Sequence, residues 1–165
     1  NMDELEDLFK NDAKAFILCS PHNPVGRVWT VEELEKIAEL SARYQVYIFS
    51  DEIHADIVFS GSKHHSIASL NESNDSLIFT LMAPSKAFNI AGLQASYVIS
   101  PSDDAKKGFD QQLMKQGFSS LNTFAFTAME TVYTYGEEWL TGLLKQLEEN
   151  RDQVIQTFNT TKIGV

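Results

Sequence analysis

The first part of the chain alternates short apolar runs with polar, turn-forming segments, and the later part carries apolar residues at helical spacing. Residues 15–20 form a compact apolar run that ends in the turn sequence Ser20-Pro21-His22-Asn23-Pro24-Val25-Gly26. Thr30 followed by Glu33 is a capping box, and it opens an amphipathic helix with Leu34, Ile37, Ala38 and Ser41 on one side. Residues 46–49 read as a second buried strand, closing on Ser50-Asp51-Glu52-Ile53-His54. A polar, glycine-containing loop around 60–65 precedes a third run at 77–82, and a fourth at 95–99 stops at Ser100-Pro101. Helices are predicted over 104–116, 123–134 and 137–158, the last with Trp139, Leu143, Leu147, Val154 and Phe158 facing a core. Strands that alternate with helix or loop predict an α/β fold with a mostly parallel sheet and flanking helices. The acidic, helix-like start and a final segment that reads as the first residues of another strand predict a piece of a larger protein.

Composition narrows the function classes. A chain of 165 residues, 43% of them hydrophobic, is of single-domain size. Its net charge of −10, with scattered Lys and Arg, argues against a nucleic-acid partner. Cys19 is the only cysteine, so no internal disulfide framework exists and a reducing, cytoplasmic compartment is expected. After Phe16-Ile17-Leu18 it reads as a small buried hydrophobe. No apolar run is long enough to cross a bilayer, so a soluble protein with no membrane partner is expected. The histidines match no recognised zinc spacing, and no metal is expected.

Candidate chemistry gathers where the predicted strands end. Asn23 follows the first run, Asp51 and His54 the second, Ser85 and Lys86 the third. In open α/β sheets the carboxyl ends of strands form the ligand crevice. A lysine at the mouth of an apolar strand is a candidate amine for covalent chemistry, because desolvation lowers its pKa and frees the nitrogen for a carbonyl. Each residue also has an ordinary reading: Lys86 as a solvated strand end, Asp51 as a turn or cap, Asn23 as half of a turn dipeptide. Ser85 suits a phosphate contact at a loop-to-helix junction.

The three segments in this order, ending in Ser85-Lys86-Ala87-Phe88-Asn89-Ile90-Ala91-Gly92, resemble the signature of fold-type I pyridoxal-phosphate enzymes of the class I/II aminotransferase superfamily. Asp51-Glu52-Ile53-His54-Ala55-Asp56 and residues 83–93 are similar, more narrowly, to the MalY/PatB group of carbon–sulfur β-lyases. The likeness continues through Asn122-Thr123-Phe124 and Gly136-Glu137-Glu138-Trp139-Leu140. It implies pyridoxal 5'-phosphate as cofactor, covalently held by Lys86, whose released amine removes the substrate Cα proton. By the same resemblance Asp51 pairs with the pyridinium nitrogen. Asn23 hydrogen-bonds the ring oxygen, and His54 stands where many relatives carry a tyrosine near that oxygen. Glu52, His22, His64 and His65 read as structural or solvated, Trp29 as packing beside the Asn-Pro turn, and Gly92 as a close approach or tight turn. Gln94 replaces an arginine that binds the cofactor phosphate in many aminotransferases of the superfamily.

The resemblance implies part of the large domain of a fold-type I enzyme over 1–135, then a long connecting helix and the start of a small domain over 136–165. The implied activity is β-elimination from an amino-acid substrate, a cysteine S-conjugate such as cystathionine, in a parent that pairs as a homodimer. Two alternatives stand beside it: a class I/II aminotransferase, and a non-catalytic regulatory interaction module.

Overall fold

Three of the apolar runs pair side by side as parallel strands, β1 (Ala15–Cys19), β2 (Tyr47–Asp51) and β3 (Ile78–Met82). A short fourth strand, β4 (Tyr97–Ile99), lies antiparallel against β3, giving the order β1-β2-β3-β4. The structure, a computed structural model, describes residues 1–70, 77–118 and 120–161. The expectation for a terminal strand in the last residues lies largely outside them. Helices α1 (Met2–Lys10) and α2 (Val31–Tyr44) flank the sheet, followed by α3 (Asp103–Lys115), α4 (Thr123–Tyr135) and α5 (Glu137–Thr160).

Side-chain alternation along the strands explains the core. Leu18, Ile48 and Ile78 are buried on one face and form a single cluster with Leu34, Ile37 and Ala38 of α2 and with Ile67. The predicted capping box is present: Glu33 N–H donates to Thr30 Oγ1, and Thr30 N–H donates to a Glu33 carboxylate oxygen. Ser41, on the apolar side of α2, is buried because its hydroxyl donates to the Val46 carbonyl at 2.7 Å. Val46 N–H in turn donates to the Ser41 carbonyl, so β2 begins one residue later than the sequence predicts.

The opposite face of the sheet is open. Ile17 is 74% exposed and Tyr47 44%, while Phe49 and Phe79 stack at 5.2 Å and Phe109 of α3 tilts against Phe79. The predicted core-facing role of α5 fails for the same reason: Trp139, Val154 and Phe158 are exposed and Leu143 and Leu147 only half-buried. An apolar stripe marks an amphipathic helix, but no described element covers its length.

Ile37→Ala in the full-length protein should cost about 2–5 kcal/mol, because Ile37 is fully buried in the cluster. Thr30→Ala should cost only about 1 kcal/mol through loss of the cap. Urea unfolding of both variants measures the contrast.

Candidate active site

The turn after β1 is built on backbone and indole hydrogen bonds. His22 and Arg27 pair through His22 N–H to Arg27 O at 2.7 Å, and Gly26, at φ 71°, closes the loop by donating to His22 O. Trp29 Nε1–H donates to Cys19 O at 3.0 Å, and the Arg27 guanidinium lies 4.4 Å above its ring, which bears out packing beside the turn. Cys19 is half-buried rather than buried, with its sulfur 3.4 Å from the Pro21 carbonyl and 3.5 Å from the Asn23 N–H. Asn23 itself is exposed at the tip.

The end of β2 holds two adjacent carboxylates with opposite surroundings. Asp51 is half-buried and accepts from Ile53 N–H at 3.2 Å. Its carbonyl accepts from Ser20 N–H at 3.0 Å, which ties this end to the β1 turn. Glu52 is 2% exposed and accepts from Ser50 Oγ at 2.8 Å and Ser66 Oγ at 3.0 Å, with His64 Nε2 at 2.8 Å. Burial raises the Asp56 carboxyl above its usual range, against the opposing pull of His64. Sequence reasoning assigned Glu52 and His64 no specific contact. The signal was there: Ile48, Ser50 and Glu52 continue the two-residue period onto the buried face.

After β3 the chain enters the lysine loop. Ala83, Pro84 and Ala87 are buried, Ser85 is half-buried and Lys86 is exposed. Phe88 N–H donates to Pro84 O and Ile90 N–H to Ser85 O, so the segment winds a helical turn around the lysine. Solvent reaches the amine, which differs from the desolvated lysine that strand-mouth chemistry predicts. Gly92 lies in a 3₁₀ turn, Ala91–Leu93, yet has open space around it. The left-handed positions here are Asn89 at φ 54° and Gln94 at φ 53°.

Asn23, Asp51 and Lys86 thus leave one edge of three neighbouring strands, and two clefts open beside that edge. Asn23 and His54 line a cleft of about 460 Å³ together with Phe59 and Arg151. Asp51 lines a second, of about 390 Å³, walled by Ile17, Phe49, Leu81 and Tyr97. Ser85 and Lys86 line neither. Among the described residues no group of three potential ligands could hold a metal ion, and no helix is long and apolar enough to cross a membrane.

A family model described as "Aminotransferase class I and II" matches residues 1–165. The chain belongs to this family. It is 43% identical over 148 residues to cystathionine beta-lyase PatB of Bacillus subtilis (strain 168), a match covering 90% of this chain and 38% of the relative. Cystalysin from Treponema denticola, a structure containing pyridoxal 5'-phosphate, superposes with a TM-score of 0.89 at 35% identity, over 96% of this chain and 41% of the other. The PLP-bound C-S lyase from Staphylococcus hominis gives 0.88 at 33% identity, over 96% and 39%. The chain therefore spans about two fifths of the length of these relatives.

Two outcomes follow from the carboxylates. Glu52→Ala should destabilise the protein by about 3–5 kcal/mol, since it strips a half-buried imidazole and two hydroxyls of their buried acceptor, whereas Glu52→Gln should cost less. Asp56, with its folded-state pKa raised, contributes stability that is present at low pH and lost as pH rises through that value. Asp56→Asn should thus be more stable than the parent near neutral pH and equal to it below about pH 3.9, as read from denaturation at both pH values.

Proposed function

We propose that this chain is the cofactor-holding portion of a pyridoxal-phosphate-dependent carbon–sulfur β-lyase. The observation that carries the reading is the delivery of Asn23, Asp51 and Lys86 from the carboxyl ends of three adjacent parallel strands. Likeness to a cystathionine beta-lyase and to PLP-bound C-S lyases supports the reaction class. The residues suit the group: a carboxylate in an apolar cleft matches a flat ring bearing an N–H, and an accessible amine matches an aldehyde.

In this reading Lys86 would hold the cofactor until the substrate amine displaces it, and its freed amine would then accept the proton from the substrate Cα. Pyridoxal phosphate, when bound, supplies an electron sink for the charge left at that carbon. Asp51 would keep the ring nitrogen protonated, Asn23 and His54 would hydrogen-bond the ring oxygen, and the Ser85 hydroxyl would contact the phosphate. Gln94 leaves that phosphate without the cation many aminotransferases supply, which favours the lyase group. The substrate, a cysteine S-conjugate such as cystathionine, loses its Cα proton and its Cβ–S bond, and the thiolate leaves with the sulfur's bonding pair. Water then releases pyruvate and ammonia.

The proposal includes a large-domain portion over 1–135, the connecting helix and small-domain start over 136–165, and a homodimeric parent. The single cysteine supports a cytoplasmic setting.

Full-length protein given cystathionine should form pyruvate and thiol in equal amounts. Glutamate made from 2-oxoglutarate without pyruvate would indicate an aminotransferase instead. The visible absorbance of lysine-bound cofactor should vanish in Lys86→Ala; a protein that takes up no cofactor at all would be a non-catalytic module.

A further inference from the structure

Lys86 carries a long, exposed side chain, so its aim depends on how the backbone beneath it is held. The two residues after it are gripped by the α4–α5 junction, far along the sequence. Trp139 Nε1–H donates to the Ala87 carbonyl at 3.1 Å, and Ala87 is only 1% exposed. Phe88 packs on Gly136 so closely that a Cβ there would stand 2.5 Å from Phe88 Cε1 and 2.3 Å from the Val132 carbonyl oxygen. Phe88 also meets Tyr133 edge-on at 6.0 Å. Tyr133 meets Tyr97 edge-on at 6.1 Å, and their hydroxyls lie 3.4 Å apart. Tyr97 is a wall of the cleft that holds Asp51. The lysine loop and the Asp51 cleft are therefore linked by one run of aromatic contacts that starts at Gly136.

Trp139 is 53% exposed, so apolar burial does not account for its place. Indole has a single polar atom, a donor, and here that atom is committed to the carbonyl next to Lys86. We propose that Trp139 is a positioning residue for Lys86, acting through the Ala87 carbonyl, with Phe88 seated on Gly136 as the second half of the clamp. The inference rests on the reading of Lys86 as the cofactor-holding lysine. The clamp fixes the backbone from which the amine reaches both cofactor and Cα, and misplacement by about 1 Å costs on the order of a hundredfold in rate.

The test uses full-length protein loaded with pyridoxal phosphate. Trp139→Phe keeps a ring and loses the donor; 3-benzothienylalanine at the same position keeps the indole shape and loses only the N–H. Both should move the pH midpoint of the visible cofactor band and lower kcat by about tenfold or more, with KM nearly unchanged. Gly136→Ala, which displaces Phe88 and leaves Trp139 intact, should move the same midpoint. A band midpoint and kcat equal to the parent's in the benzothienyl variant would overturn the proposal, as would variants that change only the unfolding temperature. A visible band that persists in Lys86→Ala would instead overturn the underlying lysine assignment, whatever Trp139 does.

Discussion

Backbone pairing between three parallel strands aligns Cys19, Asp51 and Leu81 across the sheet, so the chain leaves all three strands at one edge. That register also separates two carboxylates that are neighbours in sequence. Asp51 projects to the open face, among Ile17, Phe49 and Leu81, and Glu52 turns inward to Ser50, Ser66 and His64. A slip of one residue would exchange them, since it moves every side chain of a strand to the opposite face. The inward carboxylate would then stand in an apolar cleft, and the outward one would face groups meant for another. The Leu18–Ile48–Ile78 cluster against α2 holds the register, because slipping would also expose those residues. Chemistry at the edge is thus secured by packing at the centre.

Much of this was legible in the sequence, for local reasons. The capping box, the apolar side of α2 and the three parallel strands each rest on patterns within a few residues. So does the arrival of Asn23, Asp51 and Lys86 at successive strand ends. What could not be read depends on partners distant in sequence. Trp139 looks like one more apolar position of a helical stripe, and only the fold reveals that its N–H meets Ala87. Gly92 looked like the constrained glycine of the lysine segment, yet the crowded one is Gly136. The start of β2 shifted because the Ser41 carbonyl of the preceding helix captures the Val46 amide.

Helix α5 touches the strand-end loops at two points. Near its start Trp139 reaches the loop after β3. Further on, Glu148 accepts from Ser60 N–H, and the Arg151 guanidinium lies 4.9 Å above the Phe59 ring, both on the loop after β2. Twelve residues of helix span roughly 18 Å, so one rigid rod braces two loops that the sheet alone would leave independent.

The sequence holds two tryptophans, and each donates its indole N–H to a backbone carbonyl beside the strand ends, Trp29 to Cys19 and Trp139 to Ala87. This stretch of chain therefore carries two built-in fluorophores, one on the turn that presents Asn23 and one beside the lysine. Replacing either leaves one tryptophan in these 165 residues, whose light reports on one wall of the crevice with no dye attached.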